Sequence, residues 1–217
     1  MSEPSRSYSE FAVIDLLDAF ASNAPTPGGG SAAALSGALG VCLLIMAAGL
    51  PKSRTGAPEE AADLAEAAAR LRPLRDTLVL LIDADSAAYR EVMTALKLPN
   101  GSAEEKAARG DAVQSALKAA TDVPLDVMRA CQQALAGAVV VARNAYRLAG
   151  SDVAMGIELL AASVRGSALS IDGNLAGIKD ASYTARIGVE RDQLSDDSRR
   201  DVDQALRLIS EEPRSLR

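Results

Sequence analysis

Asp85 is the residue whose type and position suggest chemistry most directly. It belongs to a seam of Leu78, Ile82, Asp85, Tyr89, Val92 and Leu96, whose spacing places them on one face of a helix. A carboxylate among apolar side chains loses hydration, so the spacing predicts that burial raises the pKa of Asp85. Such a group suits proton transfer near neutral pH, but a structural aspartate that caps a helix or pairs with an arginine fits equally. Asp83 lies about 200° away around the helix and is predicted to be solvated.

The composition limits the chemistry to a few side-chain types. The 217 residues include no His, which excludes Ser-His-Asp and Cys-His catalysis and metal binding by imidazole. Cys42 and Cys131 lie far apart and form no CxxC motif, which argues against a disulfide scaffold and a thiolate metal site. Proton transfer must therefore come from carboxylates, Lys, Tyr or Cys, and we expect no bound metal.

A second candidate element is the run TPGGGS at residues 26–31, which leads into an uncharged segment. Glycines allow close approach of the backbone, and free amides at the start of a helix attract an anion or a ligand carbonyl. No Gly-Lys-Ser/Thr follows, so the run is not a phosphate-binding P-loop. A plain tight turn explains the run as well as a ligand site does.

Two other places in the chain carry candidate polar residues. Ser151 and Asp152 follow a glycine where a helix is expected to begin, so they are either caps or site residues. Asn174 lies within an apolar helical segment, where a buried amide needs hydrogen-bond partners.

The rest of the sequence predicts an all-α protein that positions these residues. Alanine supplies about one residue in five, whereas the β-branched and aromatic residues typical of sheets are scarce. We expect one domain over residues 1–217, a bundle of about seven helices around a buried, Ala/Gly-rich central helix at residues 32–50. Small residues recur there at steps of four, as in Ser36 and Gly40, which permits close helix packing.

Start and stop signals set the expected helix boundaries. Helix starts are predicted by capping boxes at residues 7–10 and 102–105, and by Ser31, Pro58, Pro124, Ser151 or Asp152, and Asp180. Pro73 is expected to kink or divide the helix that begins at Pro58. The charged tail at residues 194–217 is expected to form a surface helix with a frayed end.

Charge and hydropathy bear on partners and compartment. The net charge is −6 and the basic residues do not cluster, which argues against a nucleic-acid partner. Residues 32–50 are uncharged and long enough to span a bilayer, but their small residues favour a buried core helix, so we expect no membrane insertion. The N-terminus has no basic region followed by an apolar core, so a signal peptide is not expected. We predict a cytoplasmic protein.

A series of short motifs follows in order along most of the chain. They are APTPGGGSAAA at residues 24–34, GALG at 37–40, DSAAY at 85–89, VM at 92–93, LP at 98–99, EEKAAR at 104–109, QSALKAATDVPL at 114–125, SD at 151–152, NL at 174–175 and IKD at 178–180. In this order the motifs resemble the cyclodeaminase/cyclohydrolase family, which includes the C-terminal domain of formiminotransferase-cyclodeaminase and the bacterial methenyltetrahydrofolate cyclohydrolase. The resemblance covers about residues 8–185.

This resemblance implies an all-helical homodimer that acts on one-carbon tetrahydrofolates without a tightly bound cofactor. The implied reaction is hydrolysis of 5,10-methenyltetrahydrofolate to 10-formyltetrahydrofolate, or cyclisation of 5-formiminotetrahydrofolate with release of ammonia. Cyclohydrolase is favoured because no formiminotransferase domain accompanies the chain. Asp85 is implied as the catalytic carboxylate, with Asp152 second. The implied substrate contacts are Pro27, Gly28, Gly29, Gly30, Ser31, Ser151 and Asn174.

Two segments depart from the family pattern. Where the family has Asn-Leu-Thr and a lysine-rich run, this chain has GLP at residues 49–51 and KSRTGAP at 52–58; an Asn-rich turn is replaced by AYRLAG at 145–150. These changes remove side chains suited to the folate and to its glutamate tail, and Lys52 and Arg54 are candidates to replace part of the charge. The alternative function is therefore a non-catalytic folate-binding or structural helical dimer related to this family.

Overall fold

The computed structural model describes residues 7–210, which form six α-helices and two short 3₁₀ helices. The α-helices are α1 (Val13–Ala21), α2 (Gly29–Ala48), α3 (Pro58–Leu96), α4 (Ala103–Asn144), α5 (Gly150–Leu175) and α6 (Ala181–Ser210). The 3₁₀ helices are Tyr8–Glu10 and Arg147–Ala149. The predicted all-α fold is confirmed, with six α-helices where about seven were expected.

The uncharged helix α2 lies at the centre of the bundle, as predicted. It packs chiefly against α3 and α5, and Val41 and Leu44 are completely buried. A Cβ atom on Gly40 would lie 2.6 Å from the carbonyl oxygen of Gly156, so the backbones of α2 and α5 meet where only glycine fits. The hydrophobic core draws residues from each of the helices α2 to α6.

Within residues 7–210, three helices are long and apolar enough to cross a membrane by length and composition. They are Gly29–Ala48, Ala103–Asn144 and the stretch Arg147–Leu175. Between 44% and 56% of the most apolar window of each is buried inside the bundle.

The helix start expected at Pro124 is wrong, and the helix that begins at Pro58 is not divided at Pro73. Pro73 lies within α3 and Pro124 within α4, and both helices continue past them. Proline has no N–H, so Pro124 leaves the carbonyl oxygen of Ala120 without its helical donor. The side-chain amide of Asn174 donates to that oxygen at 2.9 Å. A side chain from α5 thus supplies the missing bond, and the two segments expected around Pro124 form one helix.

Two of the predicted caps are confirmed. Ser102 and Glu105 form a reciprocal capping box at the start of α4, and the carboxylate of Asp180 accepts the Tyr183 N–H at 3.0 Å at the start of α6. The expected surface helix at residues 194–217 is the second half of α6 as far as Ser210, and its expected frayed end at residues 211–217 lies outside the described residues.

Three other predicted starts are wrong. The hydroxyl of Ser7 donates to Asp83 and makes no capping bond, and a 3₁₀ helix follows it. Helix α2 begins at Gly29, two residues before Ser31, with Gly28 as its N-cap. Ser151 and Asp152 lie in the first turn of α5 and do not cap it.

Candidate active site

The carboxylate of Asp85 is fixed at the N-terminus of helix α2. Its Oδ2 atom accepts the backbone N–H of Ser31 at 2.8 Å and lies 3.0 Å from the Ser31 hydroxyl. These groups are 54 residues apart in sequence and meet because α3 packs along α2. One carboxylate oxygen is therefore held by the first turn of a helix, whose free amides and dipole favour negative charge.

The second oxygen of Asp85 lies against Gly30. A Cβ atom at Gly30 would lie only 2.0 Å from Oδ1, so no residue with a side chain fits there without moving the carboxylate. Oδ1 accepts no hydrogen bond from any described residue, and it is not completely buried. The glycine thus leaves Oδ1 accessible for another molecule.

Burial raises the pKa of Asp85 above its ordinary value, and the hydroxyl and N–H of Ser31 only partly oppose that rise. The direction confirms the expectation from the hydrophobic seam. A carboxylate with a raised pKa takes up and releases a proton closer to neutral pH, as acid–base catalysis requires.

The Ser31 hydroxyl lies between three acceptors with a single proton to donate. It is 2.8 Å from the carbonyl oxygen of Ile82, 3.0 Å from Asp85 and 3.1 Å from the hydroxyl of Ser86. Ser31 and Ser86 are both completely buried. Asp85 is the one partly exposed member of this small polar network, which fixes the orientation of its carboxylate.

Asp83 is half-buried and hydrogen-bonded, so the prediction of a solvated side chain is wrong. Its oxygens accept the backbone N–H of Tyr8 at 2.7 Å, the N–H of Ser9 at 3.4 Å and the hydroxyl of Ser7. Burial alone would raise the pKa of Asp83, but these donors outweigh it and lower the pKa. Asp83 therefore remains charged and anchors the N-terminal segment on α3.

Most of the predicted binding residues lie at the same end of the bundle as Asp85. Pro27, Gly28 and Gly29 form the turn into α2, with Pro27 buried and Gly29 exposed. Gly166 of α5 approaches Ala33, and Asn174 lies two turns further toward this end. The amide nitrogen of Asn174 is already engaged by Ala120.

Asp152 and Ser151 lie toward the opposite end. Gly156, one turn after Asp152, contacts Leu43 and Leu44 of α2. At 1.5 Å per residue, those positions are about 20 Å along the α2 axis from Ser31. Within one chain, the two predicted catalytic carboxylates therefore do not share a site.

Lys52 and Arg54 lie at this opposite end as well. The guanidinium of Arg54 donates to the carbonyl oxygens of Ala142 at 3.0 Å and Leu208 at 3.1 Å, near the C-terminal ends of α4 and α6. The ammonium of Lys52 lies 5.5 Å from the ring centre of Tyr146. Within one chain, neither is placed to bind a ligand at Asp85.

Across residues 7–210, no group of three or more His, Cys, Asp or Glu side chains is arranged to hold a metal ion.

Comparison with known proteins identifies the family. The model of the formiminotransferase-cyclodeaminase family matches residues 12–193, most of the chain. The chain belongs to this family. The resemblance of the sequence motifs is thereby confirmed.

Relatives of two lengths are similar to this chain. It is 40% identical over 167 residues to a methenyltetrahydrofolate cyclohydrolase of Methylorubrum extorquens, a match that covers 77% of this chain and 80% of the relative. It is 30% identical over 157 residues to the formimidoyltransferase-cyclodeaminase of Gallus gallus, covering 72% of this chain and 29% of that protein. The chain thus matches about three-tenths of the length of the longer relative.

The fold agrees with that of a solved family member. The formiminotetrahydrofolate cyclodeaminase of Thermotoga maritima superposes with a TM-score of 0.83 at 22% identity, over 93% of this chain and 96% of the other. At this identity the likeness shows the shared fold.

Sequence reasoning missed three parts of the site in the present chain. Ser86 joins the Ser31 network, Asp83 holds the N-terminal segment, and Tyr8 reaches Thr26 in the glycine turn at 3.4 Å. A serine directly after Asp85 was a signal for the first of these. The contacts of Asp83 and Tyr8 join residues 18 to 76 positions apart, and no local pattern announces them.

Proposed function

We propose that this protein is a folate one-carbon enzyme that hydrolyses 5,10-methenyltetrahydrofolate to 10-formyltetrahydrofolate, with Asp85 as its acid–base group. The observation that carries the proposal is the geometry of the Asp85 carboxylate. Oδ2 is fixed by Ser31, Oδ1 is free beside Gly30, and burial raises the pKa. The 40% identity to a methenyltetrahydrofolate cyclohydrolase, over 80% of that relative, supports hydrolysis over cyclisation.

The chemistry requires one group that accepts a proton and later returns it. Water adds to the electrophilic methenyl carbon, and Asp85 takes the proton that this water loses. As the tetrahedral carbon breaks its bond to N5, its hydroxyl group loses the remaining proton to solvent and becomes the formyl C=O. Asp85 returns its proton to N5, and the formyl group stays on N10. A carboxylate beside the cationic methenyl bridge also stabilises that charge electrostatically. No step requires a metal or a tightly bound cofactor, so we propose that the enzyme works with neither.

The glycine turn is proposed to bind the folate. Gly28, Gly29 and Gly30 present backbone without side chains, and backbone N–H groups at the start of α2 are suited to donate hydrogen bonds to a ligand carbonyl. Pro27 and Ser31 shape this turn, and we propose that the side-chain carbonyl oxygen of Asn174 is a further substrate contact. Asp152 and Ser151 are proposed to contribute only if a second chain brings them to this site.

We further propose that the protein is a homodimer. Helix α2 carries no charged residue, yet Leu39 and Met46 on it are 50% and 45% exposed. Met155 on the adjacent α5 is 52% exposed. An uncharged apolar face of this kind is stabilised when a second copy covers it. Light scattering should give twice the chain mass for the wild type, and Leu39→Glu should reduce it to one chain.

A cytoplasmic location without membrane or nucleic-acid partners is part of the proposal. Both cysteines are free, as is usual in a reducing compartment. Cell fractionation with an epitope-tagged chain tests the location, and recovery in the membrane pellet would contradict it.

The decisive assay follows the loss of absorbance of methenyltetrahydrofolate. The wild type should accelerate hydrolysis, and Asp85→Asn should abolish most of that acceleration. A parallel assay of ammonia release from 5-formiminotetrahydrofolate tests cyclodeaminase activity, which would then replace hydrolysis. Binding of folinic acid without turnover of either substrate would instead identify a non-catalytic folate-binding relative.

A further inference from the structure

The segment that precedes α1 is fixed on α3 beside the candidate active site. Asp83 accepts the N–H of Tyr8 at 2.7 Å and the hydroxyl of Ser7. The ring of Tyr8 packs against the hydrophobic core and lies edge-on to Phe11, with ring centres 5.4 Å apart. Both the backbone and the ring of Tyr8 are therefore held in place.

The hydroxyl of Tyr8 reaches the glycine turn. It lies 3.4 Å from the hydroxyl of Thr26, and four and five residues later Gly30 and Ser31 meet the two oxygens of Asp85. A chain of contacts therefore links Asp83, through Tyr8 and the glycine turn, to Asp85, which lies two residues further along α3.

The start of α2 has three consecutive glycines, Gly28 as the N-cap and Gly29 and Gly30 in the first turn, and it benefits from such external support. Glycine has the largest conformational freedom of any residue, and Gly28, the N-cap of α2, has no side chain to fix the start of the helix. The Ser31 N–H that orients Asp85 is only three residues beyond that cap. A small displacement of the turn would therefore move the donor away from the carboxylate.

We infer that Tyr8 is a positioning residue of the reaction: its hydroxyl, bonded to Thr26, keeps the glycine turn in register with Asp85. Tyr8 does not touch the reacting atoms and acts through the turn. The inference rests on the proposed role of Asp85. A loosened turn lowers the fraction of molecules in which the carboxylate is correctly oriented, so kcat falls more than KM rises.

The test is a double-mutant cycle with Tyr8→Phe and Thr26→Val, which remove one hydroxyl each and keep the shape of the side chains. Each single variant should lower kcat about fivefold with little change in KM, the size expected for one neutral hydrogen bond. The double variant should be no slower than either single variant. Tyr146→Phe, a half-buried tyrosine at the other end of the bundle, is the matched control and should retain wild-type kcat. Unchanged kcat in Tyr8→Phe, or fully additive losses, would overturn the inference.

A second readout separates this inference from the proposed function. The pKa of Asp85 is measured by carboxyl NMR in the wild type and in Tyr8→Phe. A looser turn weakens the Ser31 bonds that favour the ionised form, so the pKa should rise further in the variant. If the wild type turns over no folate, the proposed function fails, and the pKa comparison alone decides the inference. An identical pKa in both proteins would refute the positioning role whatever the enzyme's activity.

Discussion

Asp83 and Asp85 are the same residue type, two positions apart on the same helix, and their surroundings give them opposite properties. Each accepts backbone N–H groups from the start of a distant helical segment, Asp83 from Tyr8–Glu10 and Asp85 from α2. The several donors around Asp83 lower its pKa, whereas burial outweighs the Ser31 donors and raises the pKa of Asp85. A fully bonded carboxylate serves as an anchor, and one with a free oxygen and a raised pKa is available for proton transfer.

The largest expected effect is on catalysis by Asp85→Asn. Loss of the acid–base group should lower kcat about 100- to 10,000-fold, while the amide oxygen still accepts the Ser31 N–H and the fold persists. Steady-state hydrolysis of methenyltetrahydrofolate measures it. Asp152→Asn provides the comparison at the other end of the bundle. If Asp152→Asn lost this activity while Asp85→Asn retained it, Asp152 would be the catalytic carboxylate.

Gly30→Ala should disturb the same carboxylate from the other side. The new methyl group would lie 2.0 Å from Oδ1, so the carboxylate must move, and a displacement of this kind lowers kcat about 100-fold. Gly188→Ala is the matched control, because nothing lies within 4 Å of its Cβ position. That substitution in the middle of α6 should retain activity and stabilise the protein by about 0.5–1 kcal/mol. Full activity in Gly30→Ala would contradict the assigned position of Asp85.

Asp83→Asn should act on stability more than on chemistry. The amide keeps one acceptor but turns an N–H₂ group toward the donors of Ser7 and Tyr8, which should lower the free energy of unfolding by about 1–2 kcal/mol at pH 7. Urea denaturation measures the change, and the loss of kcat should be much smaller than in Asp85→Asn. A variant as stable as the wild type would show that Asp83 does not anchor the segment.

The pH dependence of stability should separate the two carboxylates by sign. The raised pKa of Asp85 stabilises the fold at low pH, and that contribution is lost as pH rises from the unfolded value of 3.8 through the folded pKa. The stability of Asp85→Asn relative to the wild type should therefore increase toward pH 7. The lowered pKa of Asp83 stabilises the fold above 3.8, and this is lost as pH falls through the folded pKa.

Thermal melts of the wild type and both Asn variants between pH 3 and pH 7 measure these differences, at about 1.4 kcal/mol per unit of pKa change. The deficit of Asp83→Asn should shrink toward acid, and the advantage of Asp85→Asn should shrink there too. An Asp85→Asn protein less stable than the wild type at pH 7 would contradict the raised pKa of Asp85.

Local patterns predicted the elements of this fold and one half of the site. Helical spacing predicted that Asp85 would be partly buried and that its pKa would rise, and the small residues of α2 predicted its central position. The partner of Asp85 could not be predicted, because the register of α3 against α2 depends on packing across 54 residues. The prediction of a solvated Asp83 failed for the same reason. The angular distance of Asp83 from the seam gives the direction of its side chain, but not the segment that covers it.

The capping box expected at Ser7 illustrates the limit in another way. Ser7 and Glu10 have the correct spacing, but Asp83 offers Ser7 a charged acceptor, and charge-assisted bonds are the stronger ones. The capping box at Ser102 forms because, within residues 7–210, neither Ser102 nor Glu105 is hydrogen-bonded to another helix. A local signal of this kind is reliable where the segment is exposed and fails where another helix supplies a better partner.

Pro124 and Asn174 have a consequence for how this sequence can change. The proline deprives the carbonyl oxygen of Ala120 of its donor, and the asparagine restores one from a different helix. Asn174→Leu alone would leave a buried acceptor unpaired, whereas Pro124 replaced by alanine would make the asparagine redundant at that oxygen. Substitutions at the two positions are therefore expected to be coupled. Once the proline has been replaced, residue 174 should tolerate substitution that it does not tolerate now.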